Sequence, residues 1–197
     1  MMSRGLLPGG ALLLLVLMLL GWQAAIPVKA TEAPLPTVEK VDLSRYVGTW
    51  HEVARMPNRF QDQCVGEVTA TYRLRPDGMI DVLNRCRLAD GSYDEAQGLA
   101  RVVGPATHAK LEVSFFSLFG WRPFWGDYWI IALDPDYRYA VVAEPGRRYA
   151  WILARDSALD EVLQPEMRQR LREVLHRAGY EPDDLIWDTA GPPASGA

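Results

Sequence analysis

The side chains best suited to covalent, acid–base or metal chemistry are three histidines, two cysteines and Glu52. His51, His108 and His176 stand far apart, without the spacing or partner cysteine that a zinc site uses. The chain has no Gly-x-Ser-x-Gly elbow and no glycine-rich phosphate loop, so the hydrolase and nucleotide-binding signatures are missing. Glu52 follows Trp50 at the same parity, which makes it an inward-facing carboxylate in any strand here. Buried acids need partners, so a structural hydrogen bond is its expected role. The pattern predicts no catalytic residue, no metal and no cofactor.

Aromatic side chains carry the stronger signal. Phe116 to Trp125 holds five aromatic residues among Ser117, Leu118, Gly120, Arg122 and Pro123. A loop this apolar marks a ligand lid or a membrane-touching rim, with folding of the rings over their own loop as the competing reading. Trp151 shares the face of Leu153 and Arg155. Ala96, Gly98 and Ala100 put small residues on one wall, which leaves volume for a chain-like ligand. Tyr72, Val113, Phe115, Tyr128 and Trp125 complete an apolar lining with few polar groups, as ligand sites commonly have.

Positioning these residues falls to strands. From Glu67 to Leu74, Val68, Ala70, Tyr72 and Leu74 face one way, and Glu67, Thr69, Thr71 and Arg73 the other. Arg75-Pro76-Asp77-Gly78 is turn chemistry, and the chain returns through Ile80, Val82, Asn84 and Cys86. Residues 94–102, 109–116, 128–133, 139–143 and 149–155 continue the alternation, with Leu111, Val113 and Phe115 inward and Ser114 outward. With residues 49–55 at the start, eight short strands in succession favour an up-and-down barrel or a sandwich. One helix follows: Pro165 suits its first turn, Met167, Leu171, Val174, Leu175 and Ala178 form its stripe, and Gly179 stands at C′. That stripe is expected on the outer face of the barrel, before a short strand at residues 185–187.

Residues 1–30 are an address: Arg4, an apolar run over 11–20 and Val28-Lys29-Ala30 predict export with cleavage before Thr31. An uncleaved anchor is the competing reading. Residues 31–40 form a linker with Pro34 and Pro36, residues 41–188 one domain, and residues 189–197 a tail expected to be disordered. Export places the chain in the periplasm or at a membrane of the envelope. There Cys64 and Cys86, at the same end of neighbouring strands, form a disulfide; two free, partly buried thiols are the alternative. A net charge of −4 with no basic run excludes nucleic acid as a partner.

Tyr46-Val47-Gly48-Thr49-Trp50 resembles the opening strand of a lipocalin, whose first motif is filled by Gly48 and Trp50. Asp134-Pro135-Asp136-Tyr137-Arg138 is similar to the family's second motif, notably at Asp136 and Tyr137, and Arg155 to its third. The resemblance spans about residues 41–187 and is strongest to bacterial outer-membrane lipocalins related to apolipoprotein D. It implies an eight-stranded antiparallel barrel with one C-terminal helix outside. It further implies Arg155 stacked on Trp50 at the closed end, and a fatty acid or lysophospholipid as ligand. The chain departs from that branch in lacking the lipobox cysteine, so the lipid anchor is not carried over. A monomer or weak homodimer is expected. Two rivals stand beside the binding protein: a lipocalin-like isomerase or de-epoxidase, which predicts convergent titratable groups on the pocket floor, and an envelope interaction protein with a filled barrel.

Overall fold

The computed structural model describes residues 33–188; the leader and the tail lie outside the described residues. Eight strands follow one another as expected: β1 (Gly48–Arg55), β2 (Gly66–Leu74), β3 (Ile80–Arg87), β4 (Tyr93–Val102), β5 (Lys110–Ser114), β6 (Gly126–Leu133), β7 (Tyr139–Ala143) and β8 (Ala150–Ala154). Each pairs antiparallel with the next, and β1 closes the sheet by pairing with both β2 and β8. A closed sheet of eight strands has no free edge and an interior of ligand size. The short β9 (Ile186–Trp187) adds beside β1 at Ala54 and Arg55.

Alternation along the strands divides the core in two. The inner cluster gathers Tyr46, Trp50, Tyr72, Ile80, Val82, Ala100, Leu111, Ile130, Val142 and Leu153. The outer one sets Val53, Val141, Ile152 and Ala154 against Leu171, Leu175 and Tyr180. This second cluster is the covering predicted for the helical stripe, borne by α3 (Pro165–Arg177) after the single turn α2 (Leu159–Val162). Gly179 takes φ +85° just past the helix, a conformation a side chain would oppose. Before β1, the turn α1 (Leu43–Tyr46) is capped by the Asp42 carboxylate, which accepts from the Ser44 N–H at 2.9 Å. It lays Val41 and Tyr46 into the inner cluster, while Leu35 joins the outer one.

Two parities and one expected opening differ from expectation. Leu74, the last residue of β2 before the Arg75–Gly78 turn, is largely exposed. Ser114 is buried, because the chain leaves the sheet there and its hydroxyl donates to the Phe116 carbonyl at 3.1 Å. Gly98 does not leave open volume. A Cβ there would come within 2.8 Å of the Phe115 ring, which lies against the glycine. The β4–β5 register pairs Leu99 with Ser114, so Phe115 stands opposite Gly98 and covers its bare backbone.

Candidate ligand cavity

Inside the barrel is a cavity of about 790 Å³. Its walls carry Val68, Ala70, Ile80, Val82, Ala96, Ala100, Leu111, Val113 and Leu153, with Phe115, Phe116, Phe124, Trp125 and Trp151 among its larger side chains. All eight residues expected to line a pocket (Trp151, Trp125, Tyr72, Ala96, Ala100, Val113, Phe115 and Tyr128) do line it. Small residues keep the space open at Ala96 and Ala100, but not at Gly98.

The interior is more polar than the sequence suggests. Tyr46 of α1, Tyr72 of β2 and Tyr128 of β6 bring their hydroxyls together. Tyr72 donates to Tyr128 at 2.9 Å, and the Tyr46 and Tyr128 hydroxyls share a hydrogen bond of 2.8 Å. Burial disfavours the phenolate, and drives Tyr46 and Tyr128 well above the usual tyrosine range and Tyr72 up to about 12. All three stay neutral at any physiological pH.

A second polar group lies around Glu52. Its carboxylate accepts from Arg55 Nη1 at 3.0 Å and from Gln61 Nε2 at 2.6 Å. Gln61 Oε1 accepts in turn from Asn58 at 2.9 Å and from the Trp151 indole N–H at 3.2 Å. Burial raises the Glu52 pKa, while Gln61 and Arg55 hold it down. The expected structural role of Glu52 is met by these partners. Gln61 was not foreseen: it sits in a 3-10 turn (Arg59–Gln61), which has no periodic pattern to expose it.

At the rim the aromatic loop forms a miniature hairpin. Leu118 and Trp121 exchange both backbone hydrogen bonds at 2.9 Å, and Phe119 and Gly120 between them take φ +49° and +84°. Positive φ at both central residues is the two-residue hairpin turn that follows strand twist. The Phe119 side chain is fully exposed, and Trp121 and Phe124 are mostly so. Phe116 and Phe124 instead meet at 5.9 Å between centroids, with Phe124 and Trp125 on the cavity side.

Beneath the cavity, Trp50 is fully buried and its indole N–H donates to the Tyr46 carbonyl at 2.8 Å. The Arg155 guanidinium lies 3.9 Å from the ring centroid and donates to the carbonyls of Arg45, Tyr46, Val47 and Thr49. Neither residue lines the cavity.

Comparison with known proteins accounts for this plan. A family profile described as a lipocalin-like domain matches residues 41–190. The outer membrane lipoprotein Blc of Escherichia coli (strain K12) is 39% identical over 170 residues, covering 83% of this chain and 90% of that protein.

The chain belongs to the lipocalin family.

Apolipoprotein D of Mus musculus is a more distant relative, 32% identical over 154 residues, 74% of this chain and 75% of its own. Insecticyanin from the tobacco hornworm Manduca sexta has the same fold, with a TM-score of 0.61 at 23% identity over 82% of this chain and 87% of its own. This lipocalin is therefore close to the bacterial outer membrane lipoproteins, which are exported to the cell envelope, and its cavity is a lipocalin-type site for a small hydrophobic ligand.

The motif residues of the lipocalin sit at the Trp50 end. Gly48 has φ +98°, and a Cβ there would come within 3.2 Å of Arg155 Nη1. In the β6–β7 turn, Asp134 is the carboxylate that accepts from the Asp136 and Arg138 N–H groups, so Asp136 contributes backbone there. Arg138 holds Asp134 through both oxygens at 3.1 Å. Burial opposes the ionised form of Asp134, but these hydrogen bonds outweigh it and keep its pKa below the usual value. Tyr137 accepts the Asp42 N–H at 2.8 Å and carries the Arg45 guanidinium on its ring at 4.2 Å. The two sequence-distant motifs thus clamp α1. Cys64 and Cys86 form the disulfide, with Cα atoms 5.6 Å apart, and both border the cavity.

Proposed function

We propose that this lipocalin binds and stores or transports a fatty acid or lysophospholipid in the bacterial cell envelope, as a binding protein and not an enzyme. The open, largely apolar cavity carries this reading; a filled barrel would have none. The titratable groups that converge on its floor are phenols held neutral by burial, and Glu52 is occupied by Arg55 and Gln61. The phenols are not poised to exchange protons near neutral pH, and the Glu52 carboxylate, whose pKa burial raises, already has Arg55 and Gln61 as its partners, which favours binding over an isomerase or de-epoxidase.

The test is a fluorescence titration with a long-chain fatty acid, read through Trp125 and Trp151 on the cavity wall. Replacing Ala96 and Ala100 together by leucine puts bulk into the cavity, and affinity should fall at least about tenfold while the barrel still folds. Parental affinity in a folded double variant would overturn the internal site.

The exposed hairpin tip supports contact with the membrane surface as part of the same function. A bulky residue at positive φ is costly, yet Phe119 is held there and pointed at solvent beside Trp121. Aromatic rings of this kind suit the boundary between water and acyl chains. Phe119 and Trp121 do not line the cavity, so a Phe119→Ser, Trp121→Ser variant separates the two properties. Its partitioning onto phosphatidylcholine vesicles should drop by about tenfold or more, with fatty-acid affinity retained. Undiminished co-sedimentation with vesicles would remove the tip from membrane contact.

A further inference from the structure

The tyrosine cluster has one more proton than its own hydrogen bonds consume. Three hydroxyls carry three O–H donors, and the connections among them are two: Tyr72 to Tyr128, and Tyr46 with Tyr128. Whichever way the second bond points, one O–H is left over. If Tyr128 donates to Tyr46, the spare donor is on Tyr46; if Tyr46 donates, it is on Tyr128. Both side chains line the cavity, and no other partner of these hydroxyls exists among the described residues. A buried donor without an acceptor is unfavourable, so the floor favours whatever oxygen can reach it.

Charge decides which oxygen. Arg155, which bonds the Tyr46 carbonyl, lies against the Trp50 ring and directs both terminal nitrogens at main-chain carbonyls. A carboxylate brought to the floor would lose its hydration for one neutral donor. Toward the mouth, by contrast, the lining includes Arg85 and Arg148, both well exposed and paired with Glu95 and Glu144, together with Asp94 and Asp127; a charged head group keeps its water there. The two ends of the cavity therefore suit different ends of a ligand: a charged one outside and a neutral acceptor below.

We propose that the Tyr46–Tyr72–Tyr128 floor is a subsite for a neutral oxygen at the leading end of the bound chain, so that the lipocalin prefers lipids oxygenated at the terminus remote from their head group. This rests on the binding of chain-like lipids proposed above, and names which of them the cavity selects. A hydroxyl or carbonyl oxygen at that terminus accepts the spare phenolic proton. A plain methyl terminus leaves it unmet.

The experiment is a set of equilibrium titrations on the intact protein with dodecanoic and hexadecanoic acids, their ω-hydroxy counterparts and mid-chain hydroxy isomers. In at least one matched pair the ω-hydroxy acid should bind about fivefold tighter than its parent, the worth of one net neutral hydrogen bond. The mid-chain isomer should show no gain. The preference should vanish in a folded Tyr46→Phe, Tyr72→Phe, Tyr128→Phe variant. Equal affinity for parent and ω-hydroxy acids at both lengths would overturn the floor subsite while leaving lipid binding intact. So would an equal gain from the mid-chain hydroxyl, or a preference that survives the triple substitution. If none of the acids bound, the lipid-binding reading itself would fall.

Discussion

Replacing Trp50 by alanine is expected to lower the stability of the barrel by about 4 kcal/mol, the usual cost of deleting a buried indole. The site cannot collapse to recover that loss. Trp50 is fully buried, and its neighbours are themselves tied: Tyr46, 5.0 Å away between ring centroids, is fixed through its hydroxyl to Tyr128. Arg155 is fixed by four carbonyls. Truncation therefore leaves a void under the tyrosine floor, removes the Nε1 bond to Tyr46 and takes the ring from beneath the guanidinium. A Trp50→Phe variant keeps a ring for Arg155 while losing the indole N–H, and should forfeit less than half as much. Urea unfolding of the three proteins measures this order. A Trp50→Ala loss below about 1 kcal/mol would mean that the stacked pair is incidental to the fold.

The barrel was legible because β2 to β5 bury mainly the face turned inward, whereas β1, β7 and β8 bury both, the outer one beneath the helix. Val68, Tyr72, Ile80, Val82 and Leu111 keep their inward parity, and the turn after Leu74 is announced by Pro76 and Gly78. The failures fall where a strand ends. At Leu74 and Ser114 parity still holds in the sequence, but the chain is leaving the sheet and burial is set by the turn or loop that comes next. Gly98 reads as empty space in the sequence. Its true surroundings depend on Phe115, which a one-strand reading cannot place across from it. The cavity walls were found residue by residue, yet the polar floor was not. Tyr72 and Tyr128 read as inward apolar bulk, and Tyr46 only as part of a motif. Their hydroxyls meet because strand tilt and the α1 turn bring together positions 56 and 82 residues apart. No local periodicity encodes that. Gln61 escaped for a related reason, since its links to Glu52 and Trp151 are long-range and its turn has no pattern.

Converting Cys64 and Cys86 to serine should lower stability by roughly 3 kcal/mol, the loop-closure value for a 22-residue separation. The effect should also be felt at the cavity mouth. Cys64 donates its N–H to the Gln61 carbonyl at 3.0 Å, and Gln63 reaches Asp94 of β4 at 2.9 Å. The bridge therefore fastens to β3 the same segment that holds Phe60 and Gln61 against the cavity. With that fastening cut, Gln61 is freer to leave Glu52, whose carboxylate then keeps Arg55 but loses its shortest hydrogen bond. The double variant should accordingly unfold at lower urea and bind fatty acid a few-fold more weakly. The parent protein in reductant should behave the same way. A bridge that acted on the unfolded chain alone would change the first measurement and leave the second untouched. Identical unfolding curves for oxidised and serine-substituted protein would deny the bridge any part in the fold. An oxidising envelope is the setting in which this coupling of mouth geometry to the disulfide persists.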